Sequence, residues 1–177
     1  VLQIDAHADL RESYMGFTNS HASMMFNLAK EPAGISKIVQ IGIRDFSKAE
    51  FEFSQSSPLF STHYMNDIRK AEFEGQSIEK IFKKIISSLP EKVYLSFDID
   101  GLDPSLCPST GTPVPGGFSF YEMQFLLHLL YKEGKKIVGF DLCESGYNEE
   151  NEWDSNVAAR IIYQLSIHTL KSNGSNN

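Results

Sequence analysis

Residues 1–9, VLQIDAHAD, open on an apolar run suited to a strand and close on two aspartates and a histidine at alternate positions. In an extended segment alternate side chains point to the same face. Asp5, His7 and Asp9 are therefore expected to project together from one edge of a sheet. Three titratable groups crowded on one side are costly unless something neutralises them. A metal ion is the obvious candidate. Whether the rest of the chain supplies the sheet decides the fold.

Three more apolar runs read as strands: KIVQIGI (37–43), KVYLSFDI (92–99) and KKIVGFDL (135–142), with THYM (62–65) a weaker fifth. Near-continuous apolar character favours buried parallel strands over half-exposed antiparallel ones. Between them the pattern predicts helices near 22–30, 46–56, 77–88, 119–133 and 155–169. In the 119–133 segment Ser119 and Glu122 form a capping-box pattern, and Gly134 sits where a helix ends. Phe120, Met123, Leu127 and Leu130 give that helix its apolar stripe. Alternating strands and helices predict an α/β fold, a mostly parallel sheet with helices on both faces. There is no internal repeat and no clear linker. A chain of 177 residues, 41% hydrophobic, suits one domain over 1–177.

A net charge of -7 with no basic stripe argues against nucleic acid as a partner. Cys107 and Cys143 form no CxxC pair, so a reducing, cytoplasmic setting is expected rather than a disulfide framework. No stretch approaches the ~20 apolar residues that span a membrane, and no signal-peptide pattern is present. The chain starts at Val1, inside a strand, which predicts an incomplete N-terminal portion. The polar tail KSNGSNN (171–177) is expected to fray.

Two further clusters join the first. SFDID places Asp98 and Asp100 at the end of an apolar strand, and GFDLCES places Asp141 and Glu144 at the end of another. In open parallel sheets ligands bind outside the carboxyl ends of the strands, so all three clusters are expected to face one crevice. Oxygen donors with one imidazole fit manganese, magnesium or non-haem iron better than a Cys-rich zinc site. So many donors match two ions sharing carboxylates, and metal-assisted hydrolysis is the reaction class they imply. His63, His128 and His168 lack a neighbouring acidic pattern and are read as structural. His21 follows the first cluster by a loop and precedes a helix, which suits either a supporting role behind the ligands or contact with the substrate. Arg11, directly after that cluster, either balances local acid or holds a substrate carboxylate. The cysteines have no paired base and are read as packing residues. In NEENEWD (148–154) Trp153 is expected to anchor an acidic loop, with Asp154 or Ser155 capping the next helix.

IDAHADLR, SFDIDGLDPSLCPSTGTPVPGG and GFDLCES together resemble the manganese ureohydrolases: arginase, agmatinase, formimidoylglutamase and their relatives. The resemblance runs from Val1 to about Leu170. It implies a three-layer αβα, arginase-like fold, a homo-oligomer (trimer or hexamer) and two Mn2+ ions per complete subunit. Asp5 and Asp98 are implied to bridge the ions, Asp9 to complete one shell, and His7 and Asp100 the other. His21, in NSHASMM, is implied to shuttle a proton, and Glu144 to pair with the substrate's guanidinium. Water made nucleophilic by the two cations then attacks the guanidinium carbon, and Asp9 and His21 assist departure of the amine. The family also takes a ligand histidine from a G-G-x-H motif on an earlier strand, which this chain does not contain.

Substrate is a finer question. YMGFTNSH (14–21) resembles the agmatinase loop and matches the arginase loop poorly. D-L-R at 9–11 resembles formimidoylglutamases, where Arg11 would hold a carboxylate. ESGYN replaces the family's E-V-N-P. The expectation is agmatine cleaved to putrescine and urea, with formimidoylglutamate or arginine as alternatives. A non-catalytic partner protein on the same fold is the competing class, and a single-metal phosphohydrolase on another fold a third.

Overall fold

The computed structural model describes residues 1–31 and 34–174. Five strands form one sheet: β1 (Leu2–Ile4), β2 (Ile38–Ile43), β3 (Phe60–Tyr64), β4 (Lys92–Asp98) and β5 (Lys136–Cys143). Their order is β3-β2-β1-β4-β5, and every pairing is parallel. The chain steps outward from β1 to β2 and β3, then returns to lay β4 against the other side of β1. That reversal puts a topological switch point between β1 and β4, where a crevice opens beyond the strands' carboxyl ends.

Six helices cover the sheet: α1 (Met24–Lys30), α2 (Lys48–Ser56), α3 (Met65–Phe73), α4 (Ile78–Ser87), α5 (Phe120–Lys132) and α6 (Trp153–Ser172). On one face Leu2, Ile4, Val39, Ile41, Leu95 and Phe97 pack with buried residues of α3 to α6. Spacings of three and four carry the helical side: Ile81, Phe82, Ile85 and Ile86 on α4, and Met123, Leu126, Leu127 and Leu130 on α5. Each such large side chain contributes about 1.5–3 kcal/mol by leaving water. On the other face Ile38, Ile43 and Phe60 pack with Met25 of α1 and Phe53 of α2. The arrangement is the expected three-layer one.

The expected capping box of α5 is present: the Glu122 amide donates to Ser119 Oγ, and the Ser119 amide to Glu122 Oε2. Two expectations are corrected. The 62–65 strand is β3, but it begins at Phe60 and stops at Tyr64, because Met65 starts α3. No helix was expected there, since α3 buries only Met65 and Ile68 and so shows little periodicity. Likewise α6 starts at Trp153 without a side-chain cap, and Asp154 lies inside its first turn. There Asp154 accepts hydrogen bonds from the amide and hydroxyl of Ser109. Trp153 does anchor the loop, donating from Nε1 to the Ser105 carbonyl at 3.0 Å. Helix α6 runs into the segment expected to fray, and residues 175–177 of that segment lie outside the described residues.

Two glycines let the strand ends close around Asp5. A Cβ on Gly42, whose φ is +90°, would sit 2.9 Å from the Asp5 carbonyl, and one on Gly101 would sit 2.9 Å from the Asp5 amide. Any side chain at either position would push the neighbouring segments apart.

Candidate metal centre

At the switch point lies a cavity of about 140 Å³. Its lining includes Asp5, His7, Asp9, Arg11, His21, Asp98, Asp100 and Glu144 of the residues expected from the sequence, but not Asp141. Tyr14, Asp45, Glu50 and Thr112 complete its polar wall.

The first cluster reaches the cavity by a different route from simple alternation. β1 ends at Ile4, and Asp9 adopts a left-handed conformation with φ 54°. His7 still pairs with Asp45 in an isolated parallel bridge, so the chain runs on beyond β1 as far as His7 and turns only at Asp9. That turn is held from below: the Asp9 carbonyl accepts the amides of Met25 and Phe26 at 3.1 Å each, at the start of α1. Asp5 is 2% exposed. Its Oδ1 accepts the His7 amide at 2.6 Å and its Oδ2 accepts Gln3 Nε2 at 2.8 Å.

From β4, Asp98 Oδ1 accepts the Asp100 amide at 2.9 Å as the strand turns into a single 3-10 turn at Ile99–Gly101. Asp100 Oδ1 accepts the Ala6 amide at 3.1 Å, tying the two clusters together. Its Oδ2 lies 2.9 Å from His7 Nδ1. Donor atoms of Asp5, His7 and Asp100 all fall within 4.8 Å of one another.

The electrostatics show a shortage of positive charge. Burial, reinforced by neighbouring carboxylates, pushes Asp98 up to about 9, Asp9 to about 8 and Asp5 to about 6. Burial alone would lower His7, but its hydrogen bonds to Asp100 and Asp5 outweigh that and hold it at about 10. Asp100 is also pushed up by burial, yet His7 and the Ala6 amide bring it below the usual carboxylate range. The single charge of the His7 imidazolium is shared between Asp100 and Asp5 and leaves the group short of positive charge. Divalent cations would supply what is missing, and a set of carboxylate oxygens with one imidazole nitrogen suits them. The residues present thus fit a metal centre.

Glu144 is exposed at the rim with φ 59°, and its carbonyl accepts Thr110 Oγ1 at 2.8 Å. His21 stands at the opposite rim in a 3-10 turn, edge-on to Tyr14 with ring centroids 5.5 Å apart. Arg11 lies over the Tyr14 ring at 5.1 Å and 3.7 Å from Glu50, so both partners already compensate its charge.

Asp141 does not join its cluster. It sits within β5, two residues before the strand ends at Cys143, and accepts Ser96 Oγ at 3.2 Å. His63 and His168 are engaged away from the cavity, with Ser61 and the Gln164 carbonyl respectively, and His128 is on the exposed side of α5. Buried Cys107 donates to the Ile99 carbonyl, a packing role as expected.

Arg44 was not singled out by the sequence. Its guanidinium donates to the carbonyls of Gly42, Asp100, Leu102 and Val114, fastening the irregular 101–117 segment to the end of β2. The available signal was an arginine directly after the apolar run IVQIGI.

The profile of the arginase family matches residues 1–168. The chain is 32% identical over 174 residues to the N(1)-aminopropylagmatine ureohydrolase of Thermus thermophilus, covering 97% of this chain and 55% of that protein. It is 35% identical over 161 residues to the agmatinase of Pyrococcus horikoshii, covering 91% and 52%. The crystal structure of the agmatine ureohydrolase of Thermoplasma volcanium superposes with a TM-score of 0.78 at 30% identity, covering 99% of this chain and 56% of that one. The chain spans about half the length of the curated relatives it matches.

Proposed function

The chain belongs to the arginase family, and we propose from that premise that its cavity is the site of a dinuclear manganese ureohydrolase. The substrate we assign is a guanidino-amine, agmatine first, split into putrescine and urea. The observation that carries the reading is the convergence of Asp5, His7 and Asp100 donor atoms within 4.8 Å, with Asp9 and Asp98 on the same wall. In this reading Asp5, His7, Asp9, Asp98 and Asp100 would hold the two ions.

Two such ions, when bound, make water nucleophilic at neutral pH and polarise the group under attack. The chain's own residues do the rest. Glu144 receives the planar guanidinium with paired, charge-assisted hydrogen bonds and fixes the face it presents. Asp9, inside the cavity, and His21, at its solvent-facing rim, carry a proton to the departing amine. By the same membership the protein acts as a homo-oligomer.

Charge supports an amine-bearing substrate. Seven carboxylates line the cavity against one arginine, and two divalent ions offset only part of them. The far end of the substrate therefore meets residual negative charge, with Asp45 and Glu50 nearby. The presence of Arg11 on the wall favours formimidoylglutamate as the second reading.

The test is product release by manganese-loaded protein offered agmatine, arginine and formimidoylglutamate in parallel, measuring urea for the first two and formamide for the last. Turnover of agmatine is expected, and Asp98→Ala should cut it about a thousandfold, the several kcal/mol that metal charge stabilisation supplies. Turnover of formimidoylglutamate instead, abolished by Arg11→Ala, would establish the second reading. Silence on all three would place the chain among non-catalytic relatives.

A further inference from the structure

β2 reads IVQIGI and is buried throughout, yet its third residue is a glutamine. Gln40 is 0% exposed, and Gln3, its register partner on β1, is 1% exposed. Two primary amides inside a sheet core are costly unless every polar atom is engaged. Their neighbours on the same strands are isoleucine, leucine and valine, so an apolar residue would have been the simpler choice.

The hydrogen bonds form a directed chain. Thr62 Oγ1, at the paired position of β3, donates to Gln40 Oε1 at 2.7 Å. Gln40 Nε2 donates to Gln3 Oε1 at 2.6 Å, and Gln3 Nε2 donates to Asp5 Oδ2 at 2.8 Å. The amide groups also reach the backbone above: Gln40 Nε2 donates to the Ala8 carbonyl at 2.7 Å and Gln3 Nε2 to the His7 carbonyl at 3.4 Å. An amide offers two donor hydrogens on nitrogen and acceptor sites on oxygen only. The chain can therefore run in one sense: turning the Gln3 amide over would set its oxygen against both the Asp5 carboxylate and the His7 carbonyl.

We propose that Gln3, Gln40 and Thr62 are positioning residues for the metal centre. They fix the plane of the Asp5 carboxylate and hold the His7–Ala8 backbone so that Asp5, His7 and Asp9 are presented together. The inference rests on the dinuclear reading given above. Asp5 Oδ1 faces the His7 amide and, at 3.6 Å, the His7 ring, whereas Gln3 is the hydrogen-bond partner of the other oxygen and so sets the rotation of the carboxylate from that side. Thr62 acts at a distance, by committing the Gln40 oxygen and so aiming both amide nitrogens at their acceptors. Partners of this kind around metal ligands typically alter metal affinity by about 10–100-fold when removed.

The experiment titrates Mn2+ into wild-type protein and into Gln3→Met, Gln40→Met, Thr62→Val and Thr62→Ser variants, following the electron paramagnetic resonance signal of free Mn2+. Thermal unfolding is recorded in chelator alongside. Gln3→Met is expected to weaken Mn2+ binding at least tenfold and Thr62→Val several-fold. Thr62→Ser keeps the donor and should return binding toward the wild-type value. Should the buried methionine variants fail to fold, the Thr62 pair carries the test, since that site is only half-buried. Variants that unfold at lower temperature but bind Mn2+ as wild type does would overturn the inference and leave the metal reading intact. Wild-type protein that takes up no Mn2+ would overturn the metal reading, and this inference with it.

Discussion

The two faces of the sheet are built on different principles. Toward α3 to α6, Leu2, Ile4, Val39, Ile41, Leu95 and Phe97 present an unbroken apolar surface. On the opposite face one register row reads Thr62, Gln40, Gln3, Ser96, Asp141 across all five strands. The first face gives up specificity for cohesion, because dispersion and water release need no direction. The second sets a row of directed contacts between apolar neighbours such as Ile38, Ile43 and Phe60, and each hydrogen bond in that row fixes an orientation. The difference teaches that stability and site geometry are separable in this fold, even on adjacent residues of the same strand.

The largest expected break falls on the apolar face. Phe82 on α4 is fully buried and meets the Phe118 ring edge-on at 5.9 Å. Phe82→Ala should cost about 3–5 kcal/mol in urea unfolding, while Mn2+ affinity of the folded protein stays unchanged. A loss of affinity of similar size would show that the faces are not separable.

A smaller effect comes from pH on the polar side. Asp5, Asp9 and Asp98 have folded values raised to about 6, 8 and 9. Groups raised in the folded state lend stability that is complete below their unfolded values and is lost as pH rises through the folded ones. His7, held at about 10, acts in the same sense. In chelator the unfolding midpoint should therefore fall between pH 5 and pH 8.5, by roughly 4–8 °C if about 2 kcal/mol is lost. Mn2+ should reverse the trend, since it binds deprotonated ligands and its stabilisation grows with pH. A midpoint in chelator that holds or rises over that range would refute the charge shortage.

The smallest effect is local. Ser119→Ala removes the cap of α5 and should cost about 1 kcal/mol, with Mn2+ titration again unaltered. A measurable change in metal binding would mean that α5 reports to the cavity through the 101–117 segment that precedes it.

Much of this was legible in the sequence, for physical reasons that also mark its limits. β2 and β4 announced themselves because parallel strands buried on both sides must be apolar almost throughout, and β5, an edge strand that is mostly half-buried, showed by its run IVGFDL. β3 was faint because FSTHY is half-buried at an edge, and α3 was missed because two buried residues make no period. The site residues stood out as acids ending apolar runs. Alternation nevertheless gave an incomplete local reason for Asp9, where the backbone takes a left-handed turn after the extended stretch that carries His7. Asp141 was grouped with Glu144 because sequence shows where a run ends and not how far the strand continues. Gln3 and Gln40 passed unnoticed as single polar letters within apolar runs, although that isolation was itself the signal.

Arg44 has a consequence for how the cavity is built. With its guanidinium holding the carbonyls of Asp100, Leu102 and Val114, the wall that carries Thr112 is fastened to the end of β2. The rim from Tyr14 to His21 is held locally instead, by paired backbone hydrogen bonds between Tyr14 and Phe17 and by Asn27 Nδ2 donating to the Thr18 carbonyl, and it leaves Met15 and Phe17 at 81% and 69% exposure. One jamb of the cavity thus hangs from the sheet by a single guanidinium, and the other is a short exposed segment that closes on itself.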